Sequence, residues 1–143
     1  KAANLIATTK QKLIKLADYL ENKYPNDPRT ERIIVNFKPD KIMESTPDSK
    51  YTSYSVNKGE KVDLCLRSRN SKEELVDENV LMFVALHEMG HICTKSIGHT
   101  DEFWTNFKWL LQRSIDIKIY TKQDFRKKPQ EYCGTTITDS PLK

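Results

Sequence analysis

The chain has 143 residues, a net charge of +4 and 37% hydrophobic content. Its length suits one domain around one core, and its apolar residues fall into periodic segments, which excludes a disordered chain. No run approaches the roughly 18 apolar residues that a membrane-crossing helix needs.

Residues 3 to 22 read as an amphipathic helix. Leu5, Ile6, Leu13, Leu16, Ala17 and Leu20 share a face, and Lys10, Lys12, Lys15 and Lys23 lie mostly elsewhere. Pro25 and Pro28 stop it. Arg32 to Phe37 contains Ile33, Ile34 and Val35 in a row and predicts a strand. Tyr51 to Val56 and Lys61 to Leu66 alternate around the turn Asn57-Lys58-Gly59-Glu60, which predicts a hairpin with Val62, Leu64 and Leu66 on the core. Ser71 and Glu74 have capping-box spacing ahead of the next helix. That helix carries the apolar run Val80 to Ala85 into His87-Glu88-Met89-Gly90-His91. Being apolar nearly all round, it reads as a buried central helix. Gly98 has the freedom to end it in a left-handed turn. Asp101 to about Ile117 predicts another helix, capped by Thr100 or Asp101, with Phe103, Phe107, Leu110, Leu111 and Ser114 packing inward. Ile115, Ile117 and Ile119 suggest a short strand, and from Gln123 the tail reads as irregular. The predicted fold class is α+β: N-terminal helix, small antiparallel sheet, H-E-x-x-H helix, further helix and irregular C-terminal tail. It is the layout of a minimal zincin-like metalloprotease domain, here one domain over residues 1–143.

The pentapeptide His87–His91 carries the chemistry. On a helix, residues four apart share one face, so His87 and His91 can grip one zinc ion while Glu88 reaches the water beside it. Glu88 would take a proton from that water and later pass it to the leaving amine. Two buried imidazoles and a carboxylate need partners, and a metal satisfies both rings. His99, the last of three histidines, is the expected third ligand; Asp101 and Glu102 are its rivals. Three protein ligands plus water make the open arrangement of a catalytic zinc site.

These residues resemble a known family. His87-Glu88-Met89-Gly90-His91, then Gly98-His99-Thr100-Asp101-Glu102-Phe103-Trp104, resembles the active-site segment of Wss1-like (WLM) metalloproteases, and SprT-like proteases have a related pattern. In both groups a G-H-x-x-x-F or G-H-x-x-x-F-W element supplies the third zinc histidine and opens the next helix. The resemblance is specific over residues 80 to 112 and fainter over Glu131-Tyr132-Cys133-Gly134. Seven residues separate His91 from His99, a longer gap than the common Wss1 form. The metzincin spacing is not matched either. The resemblance implies Zn2+ as cofactor and proteins crosslinked to DNA as substrates.

The other readings are local. The hairpin is either structural only or an edge beside the metal that accepts an extended protein or peptide substrate through main-chain hydrogen bonds. Phe103 and Phe107 read as core rather than as a base-stacking surface. Lys118, Lys122, Arg126, Lys127 and Lys128 form either a solvated face or a phosphate-contacting patch for DNA. Tyr132, in a tail that Gly134 lets turn sharply, either packs against the helices, the favoured reading, or is a candidate donor to the oxyanion. The three cysteines include no C-x-x-C pair, so no disulfide framework is expected. Cys65 and Cys93 read as buried filler in a reducing intracellular compartment, nuclear or cytoplasmic and compatible with a virus. No signal peptide is visible, although the chain begins at Lys1 and an upstream anchor stays open. The expected function is a zinc endopeptidase. Its rivals are a general or viral processing protease without a DNA link, and a zinc-stabilised binding module without catalysis, against which the intact Glu88 argues.

Overall fold

The computed structural model describes residues 2–45, 53–56, 58, 61–67 and 74–142. Among them, Leu13, Leu16 and Leu20 recur at helical spacing and are buried along one stripe of helix α1 (Ala2–Lys23). Helix α2 follows (Pro28–Asn36), then a 3-10 turn (Pro39–Lys41) and strand β1 (Ile42–Glu44). Strands β2 (Ser53–Val56) and β3 (Lys61–Leu64) form the predicted hairpin. Helices α3 (Glu78–Cys93) and α4 (Asp101–Asp116) come next, and strands β4 (Gln130–Tyr132) and β5 (Thr135–Ile137) close the chain.

The first sheet has the order β1-β3-β2. β2 pairs antiparallel with β3, whereas β1 runs parallel to it with Ile42 opposite Val62. The sheet is therefore mixed, not antiparallel throughout. Among the described residues β2 is one of its edges, and it lies against α3. Val62, Leu64 and Leu66 are buried as expected.

α3 packs against α1, α2, α4, β2 and β3, and every residue from Val80 to Leu86 is buried. This is why its sequence is apolar on all sides: each face meets a different element. Phe83 joins Phe107 and Phe125 at ring separations of 5.2 and 4.7 Å, which binds α3 to α4 and to the chain beyond it.

Several expectations are corrected. Residues 32–36 are helical, not a strand, and Phe37 is the extended residue that caps the helix. Asp27 caps α2 by accepting from Arg29 N, Pro28 occupies its first turn, and this start signal outweighs three β-branched residues. Only Ile33 of the three is buried, while Val35 is 70% exposed. Helix α3 starts at Asp77, whose side chain accepts from Val80 N, and not from the Ser71 capping box. Ser71 lies outside the described residues, as do Tyr51, Asn57, Gly59 and Glu60. Gly98 does turn left-handed, but it does so in a loop, because α3 has already ended at Thr94.

The strand expected at Ile115–Ile119 is a helix end. Lys118 adopts the left-handed conformation, and Ile119 N reaches Ser114 O while Lys118 N reaches Ile115 O. That pair of bonds is a Schellman cap with lysine where glycine is usual. The irregular tail is also ordered. Cys133 and Gly134, both with positive φ, form the two-residue turn joining β4 to β5.

Cys65 and Cys133 form a disulfide across a sequence separation of 68, so Cys65 is not filler. With it falls the argument from free thiols to a reducing compartment. Cys93 remains a free, buried thiol, and burial pushes its pKa up to about 12.

Candidate metal centre

Helix spacing sets two corners of the site, since His87 and His91 stand one turn apart on α3. The third corner depends on the loop from Thr94 to Thr100, which returns the chain to the same face. His99 ends that loop. The three ring centroids are 5.0, 5.0 and 5.1 Å apart, a nearly equilateral triangle. His99 Nε2 lies 3.1 Å from His87 Nε2, and one ring nitrogen from each histidine lies within 4.8 Å of the others.

Metal bonds of about 2.0–2.1 Å at tetrahedral angles set ligand nitrogens roughly 3.3 Å apart, so the His87–His99 edge already has the right scale. Burial, then repulsion from His91 and His99, holds the His87 pKa down to about 3. Burial, then His99 and Lys58, holds His91 to about 4. Both rings are neutral at pH 7 and offer lone pairs, the form that binds a metal. An all-imidazole set suits zinc, copper, iron or nickel better than calcium or magnesium. The residues fit such an ion.

Of the sequence-predicted ligands, the structure brings together His87, His91 and His99. Glu102 does not join them; its carboxylate accepts from Ser96 N at 3.0 Å, and hydrogen bonding from the Ser96 side chain, then from its backbone, lowers its pKa. Asp101 is not in the cluster either. Glu88 is 5% exposed and lines a small cavity with Leu13, Ile42, Val62 and Leu64, between α3 and the sheet.

Tyr132 follows the packing alternative. It is buried, and its hydroxyl donates to Cys65 O at 2.8 Å, so its one O–H proton is used in joining the end of β4 to the residue after β3. In this arrangement it has none to give an oxyanion. The basic residues Lys118, Lys122, Arg126, Lys127 and Lys128 are all exposed.

Two supports of the site were not anticipated. The first is Phe103, expected as core and fully buried. Its ring stacks on His91 at 4.3 Å and meets His87 and His99 edgewise at 4.9 and 5.1 Å. It fits there because Gly90 has no side chain: a Cβ at Gly90 would stand 2.9 Å from Phe103 Cε1. The second is Lys58, in the hairpin turn. Its Nζ donates to the carbonyls of His91, Thr94 and Ser96 at 3.1, 2.5 and 2.6 Å. A cation here satisfies the end of α3 and complements its dipole. Thr94 adds a bond to Gly90 O and receives one from Asn106, and Ser96 shares a bond with Thr100. The loop that delivers His99 is thus fixed at several points. Only Gly90 within H-E-x-x-H hinted at close packing, and no sequence signal marked Lys58.

A central helix bearing two histidines, with a third returned by the following loop, forms a cluster that could hold a metal ion in an α+β frame of metalloprotease-like type. The pattern of the WLM domain family matches residues 35–142, and the chain belongs to that family. It is 37% identical to uncharacterized protein R325 of Acanthamoeba polyphaga mimivirus over 99% of this chain and 74% of that protein. Uncharacterized protein 042R of Invertebrate iridescent virus 3 is 46% identical over 57% of this chain, which spans about half (49%) of that relative. The crystal structure of Wss1 from Saccharomyces cerevisiae aligns over 54% of this chain and 59% of its own, at 24% identity and a TM-score of 0.48. Among the described residues no helix is long and apolar enough to cross a membrane.

Proposed function

We propose that this chain is a zinc-dependent endopeptidase. The observation that carries the reading is the triangle of neutral imidazoles with Glu88 following His87 on a buried helix. A zinc ion held by His87, His91 and His99 supplies, when bound, a Lewis acid for the scissile carbonyl and lowers the pKa of water toward 7. Glu88 accepts the proton of the attacking water and returns it to the leaving amine. Its enclosure between α3 and the sheet limits bulk water around the transferred proton. Phe103 and Lys58 hold the ligands still, the role that partners behind a metal's ligands usually have. β2 is a sheet edge beside α3, and an extended substrate can add to it through backbone bonds.

A digestion assay tests the reading. The purified chain with one equivalent of zinc should cleave casein or histone, a chelator should abolish cleavage, and added zinc should restore it. Chelator-resistant cleavage would rule out the metal's part.

DNA-crosslinked proteins are the narrower substrate reading, taken from the family resemblance. One observation favours it. Lys118, Lys122, Arg126, Lys127 and Lys128 are exposed together, while Asp124, the acid among them, is turned to the backbone N–H groups of Arg126 and Lys127. Binding to single-stranded DNA should weaken steeply with salt as counterions are released, and Lys127→Glu with Lys128→Glu should weaken it further. Salt-independent or absent binding would leave the general processing protease.

A further inference from the structure

α4 buries Phe103, Phe107 and Trp109, yet leaves Trp104 41% exposed. That ring sits between two features. On one side its centroid is 5.6 Å from His99 and 6.4 Å from His87. On the other it walls a cavity of about 290 Å³ whose remaining described lining is Asp139, Ser140 and Pro141. The cavity therefore begins about one ring's width from the histidine cluster. The elements that build it are far apart in sequence: the first turn of α4, and the segment just after β5.

Its size and surface select an occupant. At about 290 Å³ it stands at the lower end of the roughly 300–1,000 Å³ range of ligand pockets, with room for one large side chain. Its accessible wall is mostly apolar, and its described lining includes the indole of Trp104 and the Pro141 ring. Asp139 Oδ1 accepts from Ser140 N at 2.8 Å, which fixes this polar margin of the cavity. An indole beside a carboxylate also attracts cations, but cation–π contact is worth only ~0.5–1 kcal/mol at an exposed site, whereas burying a large apolar side chain is worth about 1.5–3.

We propose that the cavity between Trp104 and Asp139-Ser140-Pro141 is a specificity subsite that takes a large apolar substrate side chain, Leu, Met or Phe, beside the scissile bond. This rests on the endopeptidase reading and adds what it lacks, a preference at a position next to the metal. Backbone pairing along β2 would hold a substrate of any sequence; this pocket selects which peptide bond comes to the histidines.

Two measurements test it, one of which needs no turnover. In a Glu88→Gln, Trp109→Phe background, Trp104 is the sole indole of the full chain. Its fluorescence is titrated with blocked tetrapeptides Ac-Ala-Ala-X-Ala-amide. X = Phe or Leu should bind at least about tenfold more tightly than X = Gly or Asp, the factor that ~1.4 kcal/mol of apolar burial gives. Equal affinities, or X = Lys the tightest, overturn the pocket. The second measurement maps cleavage sites in denatured casein by mass spectrometry, with Trp109 intact. The wild-type chain should show large apolar residues enriched at one fixed position, and Trp104→Ala should lose that enrichment. Cleavage without enrichment overturns the pocket alone. Absence of all cleavage overturns the endopeptidase reading, and the fluorescence titration then decides the pocket separately.

Discussion

Gly90→Ala introduces a methyl group 2.9 Å from Phe103 Cε1, closer than carbon atoms tolerate. Two effects compete. Alanine in place of a helical glycine gains about 1 kcal/mol in propensity. Overpacking a core costs about 1–3 kcal/mol. The second should win, because Phe103 has no room to retreat: it is 0% exposed, with His91 stacked on one side and Phe107 at 5.7 Å. The net loss is on the order of 1 kcal/mol, or roughly 2–4 °C in Tm at this chain length. The larger consequence falls on the metal. Any shift of Phe103 moves the surface against which all three imidazoles rest, and disturbing such support typically weakens metal binding about 10–100-fold. Urea unfolding of the metal-free protein and zinc titration against a competing chelator read the two effects. Gly90→Ala with Phe103→Leu should recover part of both. A variant that gains about 1 kcal/mol and binds zinc as wild type does would refute the role given to this packing.

Other outcomes follow from single features. Replacing Cys65 and Cys133 by Ser opens a loop of sequence separation 68, and loop-closure entropy predicts a loss of about 4 kcal/mol; a reductant should shift the wild-type urea midpoint similarly, and an unmoved midpoint would argue against the bond. Asp27→Ala removes the cap of α2 and the carboxylate that holds Arg29 over Trp109, at about 1 kcal/mol. The Arg29 hydrogen bond lowers the Asp27 pKa, so this contribution is complete at neutral pH and is lost as pH falls below 3.8; the wild-type-to-variant difference should shrink in that range, and a constant gap would contradict it. Lys58→Met frees three carbonyls, so amide exchange across residues 94–100 should quicken and zinc affinity drop, and protection equal to wild type would remove Lys58 from the site's support.

What the sequence made legible was what depends on spacing along one element. The His87–His91 pair, the all-round apolar α3, the Thr100 cap and the β2–β3 hairpin all follow from local periodicity. His99 was also within reach, because few histidines are available and Gly98 precedes it. The failures share a different cause. The β-branched triple at Ile33–Val35 misled because a cap signal at Asp27-Pro28 outranked weak strand preference. Lys118 closes α4 without the glycine that announces such an end. Cys65 with Cys133, Lys58 with the loop carbonyls, and Trp104 with Pro141 are long-range pairings, and no period along the chain encodes them. Tyr132's place in a loop leaves packing and an oxyanion role both open; the hydrogen bond to Cys65 O that ties it down is likewise set by tertiary contact.

The central claim is that Glu88 moves protons while His87, His91 and His99 hold the ion. Its most direct test is the casein cleavage rate of Glu88→Gln beside its zinc content. The account predicts one zinc per chain, wild-type thermal stability and a rate lower by about 10²-fold or more. A variant that retains zinc and cleaves at the wild-type rate would contradict it.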